Sequence, residues 1–424
     1  MDASIFKKAV LLFVFSTIGF GCSQSKTASS VFPNNKGSSD ACTQQASETR
    51  FIVHWEDGSF SVENDQSSDH FRNSFVEKNL ALIKHVDRDV RIKIKTQSEA
   101  TDSATAQAND GMNWGQSLIQ ASALWSRGFS GDGIIVGVVD GMVDTSHQQL
   151  QPNILINSAE IPNNGIDDDH NGFIDDYAGV QVNKETNNPS VNIHGSHVAG
   201  IIAADPTKGP VTGVAPKAKI LPAQFIGNDE GGSIGDAIVA MNYVASRGAK
   251  IVNLSWGAGP CVEIPTLKSA LQQLSDKGIL IVTAAGNGDS YGIGVNMDTY
   301  PAYPSAYNFT NQINVAATTP DDYLISFSNY GARTVHIAAP GVAIYSTVPG
   351  NNVRSLSGTS MAAPMVSGAA ALIWSAIPTA TASQVKQALL RSVDIVPGRQ
   401  VEVSSRGRIN VSKAYTELQK IVSQ

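Results

Sequence analysis

The sequence predicts an α/β fold: a doubly wound, mostly parallel sheet with helices on both faces, preceded by a small α+β unit. From Trp114 onward, short continuous apolar runs alternate with helix-like stretches, as expected for strands buried on both faces and joined by crossover helices. Hydrophobic residues make up 42% of the 424 residues and charged ones only 16%, below the roughly 25% charged of ordinary domains, so the chain can bury a large core. A net charge of −7 provides no basic footprint, which argues against a nucleic-acid partner.

Taken in order, Lys7 and Lys8 precede an apolar stretch over residues 9–20. It is shorter than the ~20 residues a membrane helix needs and has the pattern of a secretory signal over residues 1–21. Residues 22–48 are rich in Ser, Thr, Gln, Asn and Lys and are expected to form a flexible tether. Residues 49–95 predict the α+β unit: a strand over 50–55, an amphipathic helix over 69–86, and a strand in which Val90, Ile92 and Ile94 alternate with Arg91, Lys93 and Lys95. A unit this small has little core of its own. Residues 96–111 are polar and aperiodic, and read as a cleavable linker before one large domain over 112–424. There, strands are expected at 133–139, 219–221, 250–254, 278–285, 313–317 and 335–339, and helices at 194–204, 233–247, 263–277, 359–376 and 381–392.

Reactive groups in such sheets sit at the carboxyl ends of strands. Asp140 ends the first apolar run of the large domain, and His194 opens the segment His194-Gly-Ser-His197. Ser360 stands at a helix start within Gly358-Thr-Ser-Met-Ala-Ala-Pro364, and Asn287 follows the strand that ends in Ala284 and Ala285. Each residue type suits one role in acyl transfer. A serine hydroxyl needs a base within hydrogen-bond reach, and histidine titrates near neutrality. A buried carboxylate orients the imidazole and stabilises its charged form. A helix N-terminus and an amide side chain can both hold developing negative charge. Pro364 is expected in or near the first turn of its helix, where a missing N–H costs little.

These segments, in the order Asp, His, Asn, Ser, resemble the signatures of the subtilisin-like serine peptidases (subtilases), and the likeness covers residues of about 112–422. The resemblance implies a serine endopeptidase that hydrolyses peptide bonds of proteins through an acyl-enzyme on Ser360, with no cofactor for catalysis. It implies His194 as general base, Asp140 as orienting acid and Asn287 as oxyanion donor. Ser255, Trp256 and Gly257 then pair with substrate backbone, and Ala285 and Gly286 line the specificity pocket. Trp256 also suggests an apolar or aromatic preference nearby. His197 matches a structural histidine, and Ser196 replaces the family's usual Thr. Residues 49–95 correspond to an inhibitory pro-segment cleaved within 96–112. One departure stands out: Gly141-Met142 replaces the usual Thr-Gly or Ser-Gly. If Met142 had to adopt positive φ, the cost would be on the order of 1 kcal/mol. The rival readings are a catalytically silent peptide-binding protein of the same fold, motivated by that departure, and a surface adhesion module.

The signal ends at Gly21-Cys22, which resembles a bacterial lipoprotein signal and implies lipidation of Cys22, with Gly19 where a larger aliphatic residue is usual. The expected address is therefore export, either membrane-anchored at the cell envelope or released. Cys42 and Cys261 either pair or remain two thiols, since connectivity does not follow from sequence. The acidic stretch 163–176 places Asp167, Asp169, Asn171 and Asp175 at alternate positions around Gly172, like the first half of a calcium loop. Asp176 is the candidate closing ligand, because Ala178 stands where a bidentate Glu is usual. Calcium is thus a possible structural ion.

Overall fold

The structure, a computed structural model, describes residues 26–33, 46–93, 113–183, 193–228, 231–260, 263–395 and 402–424. The expectations for the signal, Cys22, Cys42, Cys261 and the 96–111 linker lie outside these residues.

The N-terminal unit begins with a short helix, α1 (Ala28–Val31), followed by strands β1 (Ala46–Trp55) and β2 (Phe60–Asn64). A helical stretch, α2, then runs through Ser68–Phe71, a wider π turn Arg72–Val76, and Glu77–Asn79. It ends before the predicted residue 86, because Ile83 and Val86 belong to β3 (Ile83–Lys93), which pairs antiparallel with β1. Part of the predicted tether is also structured. Thr27 caps α1, and Val31 and Phe32 are buried against Phe51 and Phe71. Phe51 and Phe71 stack with centroids 4.1 Å apart, and Phe32 meets both edge-on. Arg72 donates to the Phe32 carbonyl at 3.1 Å. The polar composition of residues 22–48 concealed these two apolar anchors.

The large domain follows with α3 (Trp114–Leu118), α4 (Ser122–Trp125), β4 (Ile135–Asp140), β5 (Val180–Gln181), α5 (His194–Ala203), β6 (Lys219–Gln224), β7 (Gly231–Ser233) and α6 (Ile234–Ser246). Next come β8 (Ile251–Leu254), β9 (Ala258–Pro260), α7 (Pro265–Asp276), β10 (Leu280–Ala284), β11 (Ala302–Tyr303), β12 (Gln312–Thr318) and β13 (Ile337–Pro340). A hairpin of β14 (Ile344–Val348) and β15 (Asn352–Leu356) precedes α8 (Thr359–Ala376), α9 (Ala382–Arg391) and α10 (Val411–Val422). The hairpin and α10 were not anticipated. The predicted strands and helices of the domain all form, with ends shifted by a few residues.

Seven strands pair in the order β13-β12-β10-β8-β4-β6-β5, every pair parallel. Alternate side chains feed opposite faces. Val136, Val138, Ile220, Leu280 and Val282 pack with α5, α8, α9 and α10 on one side. Val139, Leu221, Val252 and Ile281 pack with α6 and α7 on the other, where Ile52, Val90 and Ile92 of the N-terminal unit join the same core. The strand order reverses between β4 and β8, and at such a switch point a crevice opens beyond the carboxyl ends of the strands. β3 reaches this region and pairs antiparallel with β7, Ile92 opposite Gly232.

Candidate active site

Asp140 is the last residue of β4 and is fully buried. Its Oδ1 accepts a hydrogen bond from the Gly141 N–H at 2.6 Å and faces His194 Nδ1 at 2.7 Å. His194 is the first residue of α5 and is 3% exposed. A buried carboxylate at Nδ1 holds the proton on that nitrogen, so that Nε2 becomes the basic end of the ring. The approach of the two chains requires Gly195: a Cβ there would sit 2.3 Å from the Gly141 carbonyl oxygen. Ser196 tightens the same junction, since its Oγ accepts the Asp144 N–H at 2.8 Å. The non-glycine residues in the left-handed region include Asn163, His170 and Asp175 but not Met142. The Gly141-Met142 departure therefore carries no left-handed strain at Met142. It does remove a hydroxyl, and Asp140 Oδ2 has no hydrogen-bond partner among the described residues.

Ser360 is the second residue of α8, which packs against α5 in the same core. Its Oγ donates to the Ser255 carbonyl at 2.9 Å. Asn287 lies beside it: Asn287 Oδ1 accepts both the Thr359 N–H at 2.8 Å and the Thr359 hydroxyl at 2.9 Å. With the oxygen end so engaged, the amide donor Nδ2 is directed away from Thr359, on the side of Gly358. Pro364 lies inside α8, beyond the first turn, so it removes a regular helix bond and not one of the terminal orphans.

A cavity of about 560 Å³ opens beside Ser360 and Asn287, and Trp256, Gly257, Ala285 and Gly286 are among the residues that line it. Ser255 instead bonds Ser360 directly. The Trp256 ring is largely core: it is 2% exposed, packs edge-on to Phe225, and donates to the Val139 carbonyl at 2.9 Å. Lys93, at the end of β3, also lines the cavity. His197 Nε2 lies 3.0 Å from the carbonyl oxygens of both Ile344 and Arg354. Burial lowers its pKa to about 3, which marks it as a neutral structural histidine.

The acidic loop divides the predicted ligand set. Asp167 accepts the N–H groups of Asn171 and Gly172, and Asp175 accepts those of Asn164 and Gly165. Both thus cap turns. Asp169 and Asp176 converge with Glu160, their ligand atoms within 4.8 Å of one another, while Asn171 donates its amide to Asp176 at 3.1 Å. Glu160 was missed because it precedes the alternating pattern. It is 3% exposed, and its Oε2 has no hydrogen-bond partner among the described residues. Carboxylates this close repel one another unless protonated or neutralised by a cation; Arg247 meets half-buried Asp169 at 3.2 Å, and the hard oxygen donors that remain suit calcium.

A hydrogen-bonded carboxylate–imidazole pair at the end of β4 and a helix-start serine bonded to Ser255, just past β8, are groups of the kind a serine hydrolase uses. The Subtilase family model matches residues 131–416, and the chain belongs to that family; it is a serine endopeptidase that needs no catalytic cofactor. It is 34% identical to Subtilisin DY of Bacillus licheniformis over 281 residues, 65% of this chain and 89% of that protein. It is 37% identical to the Major intracellular serine protease of Bacillus subtilis (strain 168) over 260 residues, 61% of this chain and 74% of the relative. Subtilisin-like protease 1 of Plasmodium falciparum (isolate 3D7) is 32% identical over 295 residues, 65% of this chain and 42% of that protein.

Proposed function

We propose that Ser360 is the nucleophile of peptide-bond hydrolysis, His194 its general base, Asp140 the orienting acid, and Asn287 Nδ2 with the Ser360 N–H the oxyanion donors. The observation that carries this reading is the 2.7 Å contact between Asp140 and His194, both buried. Substrate backbone lies along Ser255 to Gly257, and its carbonyl carbon is attacked as Ser360 Oγ turns from the Ser255 carbonyl to His194 Nε2. The imidazole takes the hydroxyl proton, and the buried carboxylate stabilises the imidazolium. The tetrahedral oxyanion forms against Asn287, and the proton passes to the leaving amine. Water then repeats the sequence on the acyl-enzyme. A fluorophosphonate probe is expected to label wild type at Ser360 and to leave Ser360→Ala unlabelled; labelling elsewhere, or none, overturns the assignment.

The unit expected at residues 49–95, joined in the structure by the packed residues 26–33, acts as the inhibitory pro-segment. Lys93 lining the cavity that Ser360 also lines, and the pairing of β3 with β7, support this. Cleavage falls within residues 96–112 and is read from the mature N-terminus by mass spectrometry. Glu160, Asp169 and Asp176 hold a structural calcium ion, supported by the buried, undonated oxygen of Glu160. Export and lipidation of Cys22 rest on residues 1–22 alone, and palmitate incorporation abolished by Cys22→Ala tests them.

A further inference from the structure

Ser360 sits four residues before Pro364. In a regular helix the carbonyl of residue 360 accepts the N–H of residue 364, and proline has none to donate. That carbonyl is nevertheless satisfied, from outside the helix: Ser255 Oγ donates to it at 2.9 Å. Ser255 Oγ in turn accepts from Asn253 Nδ2 at 2.8 Å, and Asn253 Oδ1 accepts from Ser367 Oγ at 2.8 Å. Asn253, Ser255 and Ser367 are all fully buried. Ser360 and Ser367 stand two turns apart and so share one face of α8. The carboxyl end of β8 therefore grips α8 at two points on that face, one of them the backbone of Ser360.

We infer that Asn253 and Ser255 are positioning residues for Ser360: a buried side-chain relay takes over the helix bond that Pro364 deletes and sets where the serine stands. The inference rests on the reading of Ser360 as nucleophile. Ser255→Ala leaves a buried carbonyl without its partner in the turn that carries Ser360. The substrate-pairing backbone of Ser255 is retained, so the loss falls on kcat and not on KM.

The test uses the full chain after self-processing, with enzyme concentration set by fluorophosphonate titration. Ser255→Ala is expected to lower kcat and the rate of fluorophosphonate labelling by about 10-fold, with KM within about twofold of wild type. Pro364→Ala in the same background supplies an N–H to the Ser360 carbonyl and is expected to recover most of that loss, which a general packing defect would not. Wild-type kcat and labelling rate in Ser255→Ala overturn the inference, as does a loss that Pro364→Ala fails to reduce. Should Ser255→Ala not fold, Asn253→Ala tests the relay one step back, with about a threefold fall in labelling rate expected and an unchanged rate refuting it. A wild-type chain that takes no label at Ser360 refutes the nucleophile reading itself and is thereby distinguished from failure of the relay.

Discussion

The Asp89 carboxylate of β3 accepts the N–H of Gly235 at 2.8 Å, so a side chain of the N-terminal unit closes the first turn of α6. Asp87 does the same for α7, accepting the Thr266 N–H at 2.8 Å. Helix starts leave such donors orphaned, and one cap is worth about 1 kcal/mol. Asp87→Ala is therefore expected to speed release of the N-terminal unit about fivefold, measured as the lag before peptidase activity appears. An unchanged lag would remove the cap from the account of inhibition.

The same interface has a pH dependence of known sign. Burial raises the pKa of Asp89 despite the neighbouring Arg50 guanidinium. The docked state thus holds a proton that the undocked state has lost, and docking weakens as pH rises from the ordinary carboxylate range through the raised value. Asp89→Asn should flatten that dependence in a dissociation-rate profile.

His54 acts in the opposite sense. It is buried in β1 and stacked on Phe60 at 4.4 Å, and burial, with the charges of Lys84 and His85, lowers its pKa from 6.5 to about 4. The unfolded unit takes up a proton below 6.5 that the folded unit refuses until about 4. Stability of the unit is therefore complete above that window and is lost progressively as pH falls through it. Hydrogen exchange of the β1 amides in the Ser360→Ala chain at pH 7.5 and 5 measures this. His54→Phe should abolish the difference.

Glu160, Asp169 and Asp176 predict calcium-dependent stability. At a calcium concentration about 100-fold above Kd, binding adds about 2.7 kcal/mol, which for a domain of this size is a rise in melting temperature of about 4 °C over a chelator-treated sample. Glu160→Gln should lose most of that increment. An equal increment in both proteins would place the ion elsewhere.

Phe32 completes the aromatic core of the N-terminal unit. Phe32→Ala removes a buried ring, a change that typically costs about 3–5 kcal/mol, a large fraction of what so small a unit possesses. A marked fall in the yield of self-processed enzyme is expected, and an undiminished yield would show residues 26–33 to be dispensable.

The periodicities of the large domain were legible because its strands are buried on both faces, which forces uninterrupted apolar runs such as that ending at Asp140. The hairpin β14–β15 was not, because its outer strand is half exposed and carries Asn352 and Arg354 among its apolar residues. Glu160 was invisible for a related reason: it reaches Asp169 and Asp176 by folding of the loop, not by spacing.

Sequence alone singled out Asp140, His194, Asn287 and Ser360, in that chain order, as the residues proposed for catalysis, because a catalytic chemistry restricts residue type wherever the residue stands. Tertiary structure decided what holds them: Gly195 against Gly141, Asn287 turned by Thr359, and Ser255 replacing the helix bond that Pro364 cannot make. Those contacts join residues 54, 72 and 105 positions apart, and no local pattern records a contact formed across such a separation in the chain.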